Sequence, residues 1–302
     1  MALATCVGLL VSCSHDRREG DRPAPATKSE LAPTPPAPTE SDPAEPDPTL
    51  PAVPATDDAA RLAAQLRQAS ATLSTDDAPT HDVRRAAEFQ QLATRALAAG
   101  PSSFRREVID LLDERTARDT RADVKAAGLL LSMLSEPAQE LPAWRIVRPP
   151  PAPVLLDHYR RAQRLTGVHW SYLAAIHLVE TRMGRVRGVS AAGTVGPMQF
   201  LPTTWDLYGA GGDIRDPADA ILAAARLLVA NGAPGDMAEA VWHYNPSDAY
   251  VGAVLSYAAT MRRTPSAYER YWHWRVLYTH ARGLHVLPVG YPQQRPLPIP
   301  ER

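Results

Sequence analysis

Apolar residues recur at helical spacing along most of the chain, and only near its end does the period shorten to two. Leu62, Leu66, Ala69 and Leu73 predict a helix over 59–73. Phe89, Leu92 and Ala96 predict a second over 83–99, closed by Gly100-Pro101. Ser102 or Ser103 is placed to cap a third through Val108, Leu111 and Leu112, and a fourth runs from Val124 to Leu134. Pro149-Pro150-Pro151 then breaks the pattern. Beyond it the spacing predicts helices over 155–165 with Gly167 as C-cap, over 170–180, and a short one opened by Pro202 and ended by Gly209. Asp216-Pro217 has N-cap and N1 chemistry for a helix reaching Asn231-Gly232. Another covers 237–242. A last one, capped by Ser247, gathers Tyr250, Val254, Tyr257 or Ala258, and Met261 on one face. From Trp274 to Pro288 the alternation around Arg282-Gly283 predicts a β-hairpin.

Before these elements the composition changes. Residues 14–56 are charged and rich in Pro, with almost no large apolar side chain, so they cannot bury enough surface to offset the entropy of ordering. Where such a chain adopts polyproline II it extends at about 3.1 Å per residue, so 14–56 is expected to be a disordered tether. Residues 1–13 form a short apolar run of signal-peptide length. The two cysteines, Cys6 and Cys13, both lie in it, which leaves the body without a disulfide, zinc site or cysteine nucleophile. Leu10-Val-Ser-Cys13 resembles a lipobox, which makes Cys13 the expected lipidation site. No Lys or Arg precedes the apolar run. The last residues, 292–302, are Pro-rich and expected to be irregular. The formal net charge of -1 gives no global attraction to nucleic acid.

The chemistry gathers near Glu180. In Trp170-Ser-Tyr-Leu-Ala-Ala-Ile-His-Leu-Val-Glu180, the residues Leu173, Ile176 or His177, and Glu180 share one face of an amphipathic helix. Apolar surroundings and the negative end of the helix would both raise the carboxyl pKa, as a proton donor near neutral pH requires. An exposed Glu at a frayed helix end is the plain alternative. A glycine-rich stretch, Ser190-Ala-Ala-Gly-Thr-Val-Gly196-Pro-Met198-Gln199, comes next, and later Trp242-His-Tyr244-Asn245-Pro-Ser247-Asp-Ala-Tyr250.

These three segments, in this order and spacing, resemble the catalytic domain of lytic transglycosylases, the lysozyme-like enzymes that cleave peptidoglycan. The likeness covers roughly 154–291, and the Tyr-Asn-Pro-Ser-x-x-Tyr segment is similar to the membrane-bound branch in high-GC Gram-positive bacteria. The resemblance implies a mainly α, lysozyme-like domain over 149–291, and the helical periodicity before it is read as a separate helical module over 57–148. It implies that Glu180 acts first as acid and then as base, and that cleavage of glycan strands leaves 1,6-anhydro-N-acetylmuramic acid ends. Ser190 and Gln199 would hydrogen-bond the sugar or hold the Glu, and their local alternative is an ordinary turn. Gly196 would let backbone or substrate approach closely. Tyr244 and Asn245 would orient Glu180 and contact the sugar. Met198 is a candidate for the cleft, although core packing is the simpler role for it and for Phe200. Thr181 stands where the family usually has Ser. His177 reads as a core histidine.

No second carboxylate stands beside Glu180 in the sequence, whereas ordinary glycosidases use two. The segment after Trp205 is too short and poor in acids for a calcium loop, so neither metal nor cofactor is expected. The expected setting is the outer face of the cytoplasmic membrane, with glycan strands as partner and the lipid as anchor. Two rival readings stand beside this one: a hydrolytic muramidase on the same fold, and a peptidoglycan-binding lipoprotein without activity.

Overall fold

The computed structural model describes residues 58–291 and the backbone of 297–298. The expected signal segment with Cys13, the expected tether over 14–56 and most of the tail lie outside the described residues.

The described chain is mainly helical. The first four helices are α1 (Ala59–Thr72), α2 (Thr80–Ala99), α3 (Ser102–Asp110) and α4 (Glu114–Ser132). Two short strands, β1 (Glu140–Leu141) and β2 (Arg145–Ile146), lead to α5 (Ala152–Thr166), α6 (Trp170–Thr181) and β3 (Val186–Arg187). Then come α7 (Pro202–Tyr208), α8 (Pro217–Ala230), α9 (Met237–Tyr244), α10 (Asp248–Arg263) and α11 (Ala267–Trp272). The hairpin is formed by β4 (Val276–His280) and β5 (Gly283–Leu287), antiparallel with Val276 opposite Leu287. A final strand, β6 (Leu297–Pro298), pairs antiparallel with β1, so the proline-rich tail is not wholly irregular. An edge position with no need to donate to a ladder suits Pro298.

The helix ends obey their capping chemistry. Asp216 accepts from Ala218 N at 2.9 Å and Asp219 N at 3.0 Å, with Pro217 at N1. Ser247 accepts from Tyr250 N at the start of α10, and Gly167 closes α5 at a φ of 79°. The expected serine cap of α3 is absent, because Pro101 takes the N-cap place and Ser102 is already helical.

Helix α4 starts at Glu114, well before its apolar pattern opens at Val124. Asp113 caps it by accepting from Thr116 N at 3.0 Å. Its first half buries polar groups instead of a stripe. Asp119 meets Arg263 Nη2 at 2.8 Å and the Thr264 hydroxyl at 2.6 Å. Asp123 meets Arg270 Nη2 at 2.9 Å and the Tyr271 hydroxyl. Burial pushes the Asp123 carboxyl up, and Arg270 opposes the shift. These pairs fasten α4 to the end of α10 and to α11. Helix α4 also joins two apolar cores. Val124 packs with α1–α3 around Leu62, Leu66, Phe89 and Leu97, while Leu130 packs into the larger core around α6, α8 and α10.

At the centre of that larger core lies α6. Ten of its twelve residues are buried, all but Trp170 and Tyr172. The amphipathic stripe expected from the sequence is therefore, beyond its first turn, a helix buried all round, and Glu180 on it keeps only a narrow exposed margin.

Candidate active site

Glu180 sits on the last turn of α6 and is 5% exposed. Burial pushes its carboxyl up to about 8, against the pull of a single hydrogen bond. That bond comes from Tyr250, whose hydroxyl donates to Glu180 Oε1 at 2.6 Å. The Tyr250 hydroxyl is itself driven well above its ordinary pKa, by burial first and by Glu180 second, so it stays a neutral donor. No second carboxylate is among the groups that shift Glu180.

Three successive residues after α6 turn the chain through left-handed backbone: Arg182 at φ 55°, Met183 at 59° and Gly184 at 84°. A Cβ on Gly184 would press on His177 Nε2 at 3.3 Å. The helix therefore stops at Arg182, before either expected glycine. Thr181 anchors the next segment. Its hydroxyl donates to the Pro197 carbonyl at 2.6 Å and accepts from Gly184 N at 3.1 Å. The glycine-rich loop is thus tied to the residue next to Glu180.

Within that loop Ser190 and Gln199 meet, but through an intermediary. Thr194 Oγ1 shares a hydrogen bond with Ser190 Oγ at 2.7 Å and donates to Gln199 Oε1 at 2.8 Å. The Gln199 amide donates to Gly196 O at 2.8 Å. Neither Ser190 nor Gln199 holds Glu180; together they brace the loop and remain half-buried. Gly196, at φ 79°, faces the Ile214 carbonyl so closely that a Cβ would lie 2.0 Å from its oxygen. Its conformational freedom serves a close approach of backbone to backbone.

Tyr244 donates its hydroxyl to the Met198 carbonyl, and its ring lies parallel to that of Tyr250 with centroids 6.4 Å apart. It reaches Glu180 through that stacked neighbour and not by a hydrogen bond. Asn245, at the C-cap of α9, is 2% exposed. The Met198 side chain is fully buried in the core beside Phe200, so only its carbonyl belongs to the site. His177 lies in the core, where its Nδ1 is 2.7 Å from the Tyr159 hydroxyl. Burial drives its pKa down to about 3, which leaves a neutral imidazole.

Sequence reasoning missed Tyr250 and Thr194. Tyr250 closes the Tyr-Asn-Pro-Ser-x-x-Tyr segment, and that spacing was the available signal, but its place on a buried helix face suggested packing alone. Thr194 carried none.

A groove of about 460 Å³ runs beside the loop, bordered by Val195 and Gly196 and by Arg145, Arg187 and Arg215. Arg145 and Arg187 lie opposite each other where β2 pairs with β3. Burial, and then Arg145, lowers the Arg187 pKa. Like charges placed opposite are unfavourable unless an anion offsets them. Glu180 is outside this lining and is linked to it through Thr181 and Pro197. Among the described residues no group of three or more His, Cys, Asp or Glu gathers, and no helix is long and apolar enough to cross a membrane. No protein-family model, curated protein or solved structure matches the chain.

Proposed function

We propose that the protein is a peptidoglycan lytic transglycosylase with a lysozyme-like catalytic domain. The observation that carries this reading is Glu180: a buried carboxyl that holds its proton to about pH 8, fixed by Tyr250, with no second carboxylate acting on it. Such a group can serve as a general acid at neutral pH and then, once it has given up its proton, as a base. In the proposed step Glu180 protonates the oxygen bridging N-acetylmuramic acid to N-acetylglucosamine, and the bond to the anomeric carbon breaks. The Glu180 carboxylate then takes the proton of the muramic acid's own 6-hydroxyl as that oxygen closes on the anomeric carbon. Glu180 ends protonated, and the product is a 1,6-anhydro sugar. A well-oriented intramolecular nucleophile has an effective concentration of roughly 10⁵–10⁸ M, beyond that of water. The loop braced by Ser190, Thr194 and Gln199 offers the sugar a preformed wall. The three arginines of the adjoining groove suit a polymer that carries carboxylates.

Digestion of purified sacculi with the full chain, without borohydride reduction, followed by mass spectrometry of the muropeptides, tests the reading. Dominant anhydro ends are expected. Dominant reducing ends, heavier by one water, would assign the chain to the hydrolytic muramidases, and intact sacculi would leave a binding protein. We further propose that the mature protein is anchored outside the cytoplasmic membrane through a diacylglyceryl group on Cys13, since two acyl chains hold stably where one does not. Unchanged membrane partitioning of Cys13→Ala, with Cys6 also replaced, would contradict the anchor.

A further inference from the structure

Several arginines in this fold are drawn inward by acidic or carbonyl partners. Arg270 meets Asp123, Arg263 meets Asp119 and Arg275 meets Glu88. Arg185 donates to the carbonyls of Trp272 and Trp274. Arg95 on α2 and Arg182 at the end of α6 instead face a common cavity of about 60 Å³, bounded also by Gln91, Thr94, Tyr257 and Trp274. A single water needs about 10–15 Å³ by this measure, so the space accepts a group of several atoms. No Asp or Glu lines it.

The two cations are poorly compensated. Arg95 donates to the Thr279 hydroxyl. The Arg182 guanidinium lies over the Trp274 ring, 5.9 Å from its centroid. The Nε of Arg182 is shut off from solvent and meets no acceptor among the described residues. Burial lowers both pKa values, Arg95 to about 10, where Arg182 is the next cause after burial. No carboxylate is among the groups acting on either guanidinium. Burying a charge without a counter-charge costs far more than burying a pair, and a neighbouring like charge adds to it. The rest of the wall is apolar, from Leu130 and Leu134 on the α4 side and Leu277 of β4.

We propose that this cavity binds an oxyanion, a carboxylate or phosphate group held between the guanidiniums of Arg95 and Arg182. The planar forks of two arginines match the oxygens of either group. The site is separate from the Glu180 carboxyl and does not depend on the proposed reaction. It does touch the same element, because Arg182 is the C-cap of the helix that carries Glu180.

The test is thermal unfolding of the full chain at constant ionic strength, exchanging sodium chloride for inorganic phosphate, acetate or benzoate. A saturable rise in Tm with at least one of the three is expected. Phosphate as the tightest would identify a bare anion as the ligand. Benzoate tighter than acetate would identify an organic acid whose body rests on the apolar wall. Arg95→Gln gives up the Nη2 bond to the Thr279 hydroxyl but also removes one of two like charges buried side by side, so it should fold and melt close to wild type in chloride. In that variant the dissociation constant should rise by about 10–100-fold, the loss expected for one charge-assisted hydrogen bond. A Tm that responds to ionic strength alone overturns the proposal. So does saturable binding that Arg95→Gln leaves intact.

Discussion

Glu180→Gln should make the protein more stable, and by an amount that grows with pH. Unfolded, Glu180 ionises near the ordinary value of 4.5; folded, burial holds the proton to about 8. Between those values the folded state binds more protons than the unfolded, so wild-type stability falls as pH rises. Gln has no such dependence, and its Oε1 can still accept from Tyr250. The gap between variant and wild type from this source is nearly nil near pH 4, about 3 kcal/mol at pH 7 and about 5 kcal/mol at pH 9. For a folded region of this size 1 kcal/mol corresponds to about 2–4 °C, so the variant should melt about 6–12 °C higher at pH 7. The assay is thermal unfolding of both proteins from about pH 4 to 9. Any packing change from the amide adds a constant and cancels in the pH dependence. A Tm difference that does not widen with pH would mean that Glu180 is not desolvated, and the argument for a buried acid would fall with it.

The geometry sets four further outcomes. In the proposed reaction the acid must be protonated, so sacculus cleavage should decline as pH rises through about 8; Tyr250→Phe should lower kcat by about 10²-fold through lost positioning and move that alkaline limb upward, since the Tyr250 bond is what draws the Glu180 pKa down. An unshifted limb in the pH–rate profile would remove Tyr250 from this role. Gly196→Ala drives a Cβ toward the Ile214 carbonyl at a left-handed φ and should cost about 1–3 kcal/mol or more, so an unchanged urea midpoint would contradict the close approach. Asp123→Ala leaves Arg270 buried without its partner and should cost about 3–5 kcal/mol in the same measurement.

Helices whose apolar residues face a core were legible because the period of 3.6 is a local property. So were caps such as Asp216, Ser247 and Gly167, where one side chain or one φ decides the end. The hairpin was legible from its alternation. The first half of α4 was not, because its buried face is made of Asp119, Thr120 and Asp123, and the carboxylates' partners stand far along the chain on α10, α11 and the turn between them. Nor was the pairing of the proline-rich tail with β1. The same division runs through the site. Local pattern singled out Glu180, and the family resemblance offered Ser190, Gly196, Met198, Gln199, Tyr244 and Asn245 as candidates. Only the tertiary structure could bury α6 beyond its first turn and so desolvate Glu180. It alone brought Tyr250 to the carboxyl from α10, inserted Thr194 between Ser190 and Gln199, and sent the Met198 side chain into the core. It also set Arg95 against Arg182, which stand on helices that share no local pattern. A pKa shift depends on what surrounds a group in three dimensions, and the sequence specifies those surroundings only through the packing of distant elements.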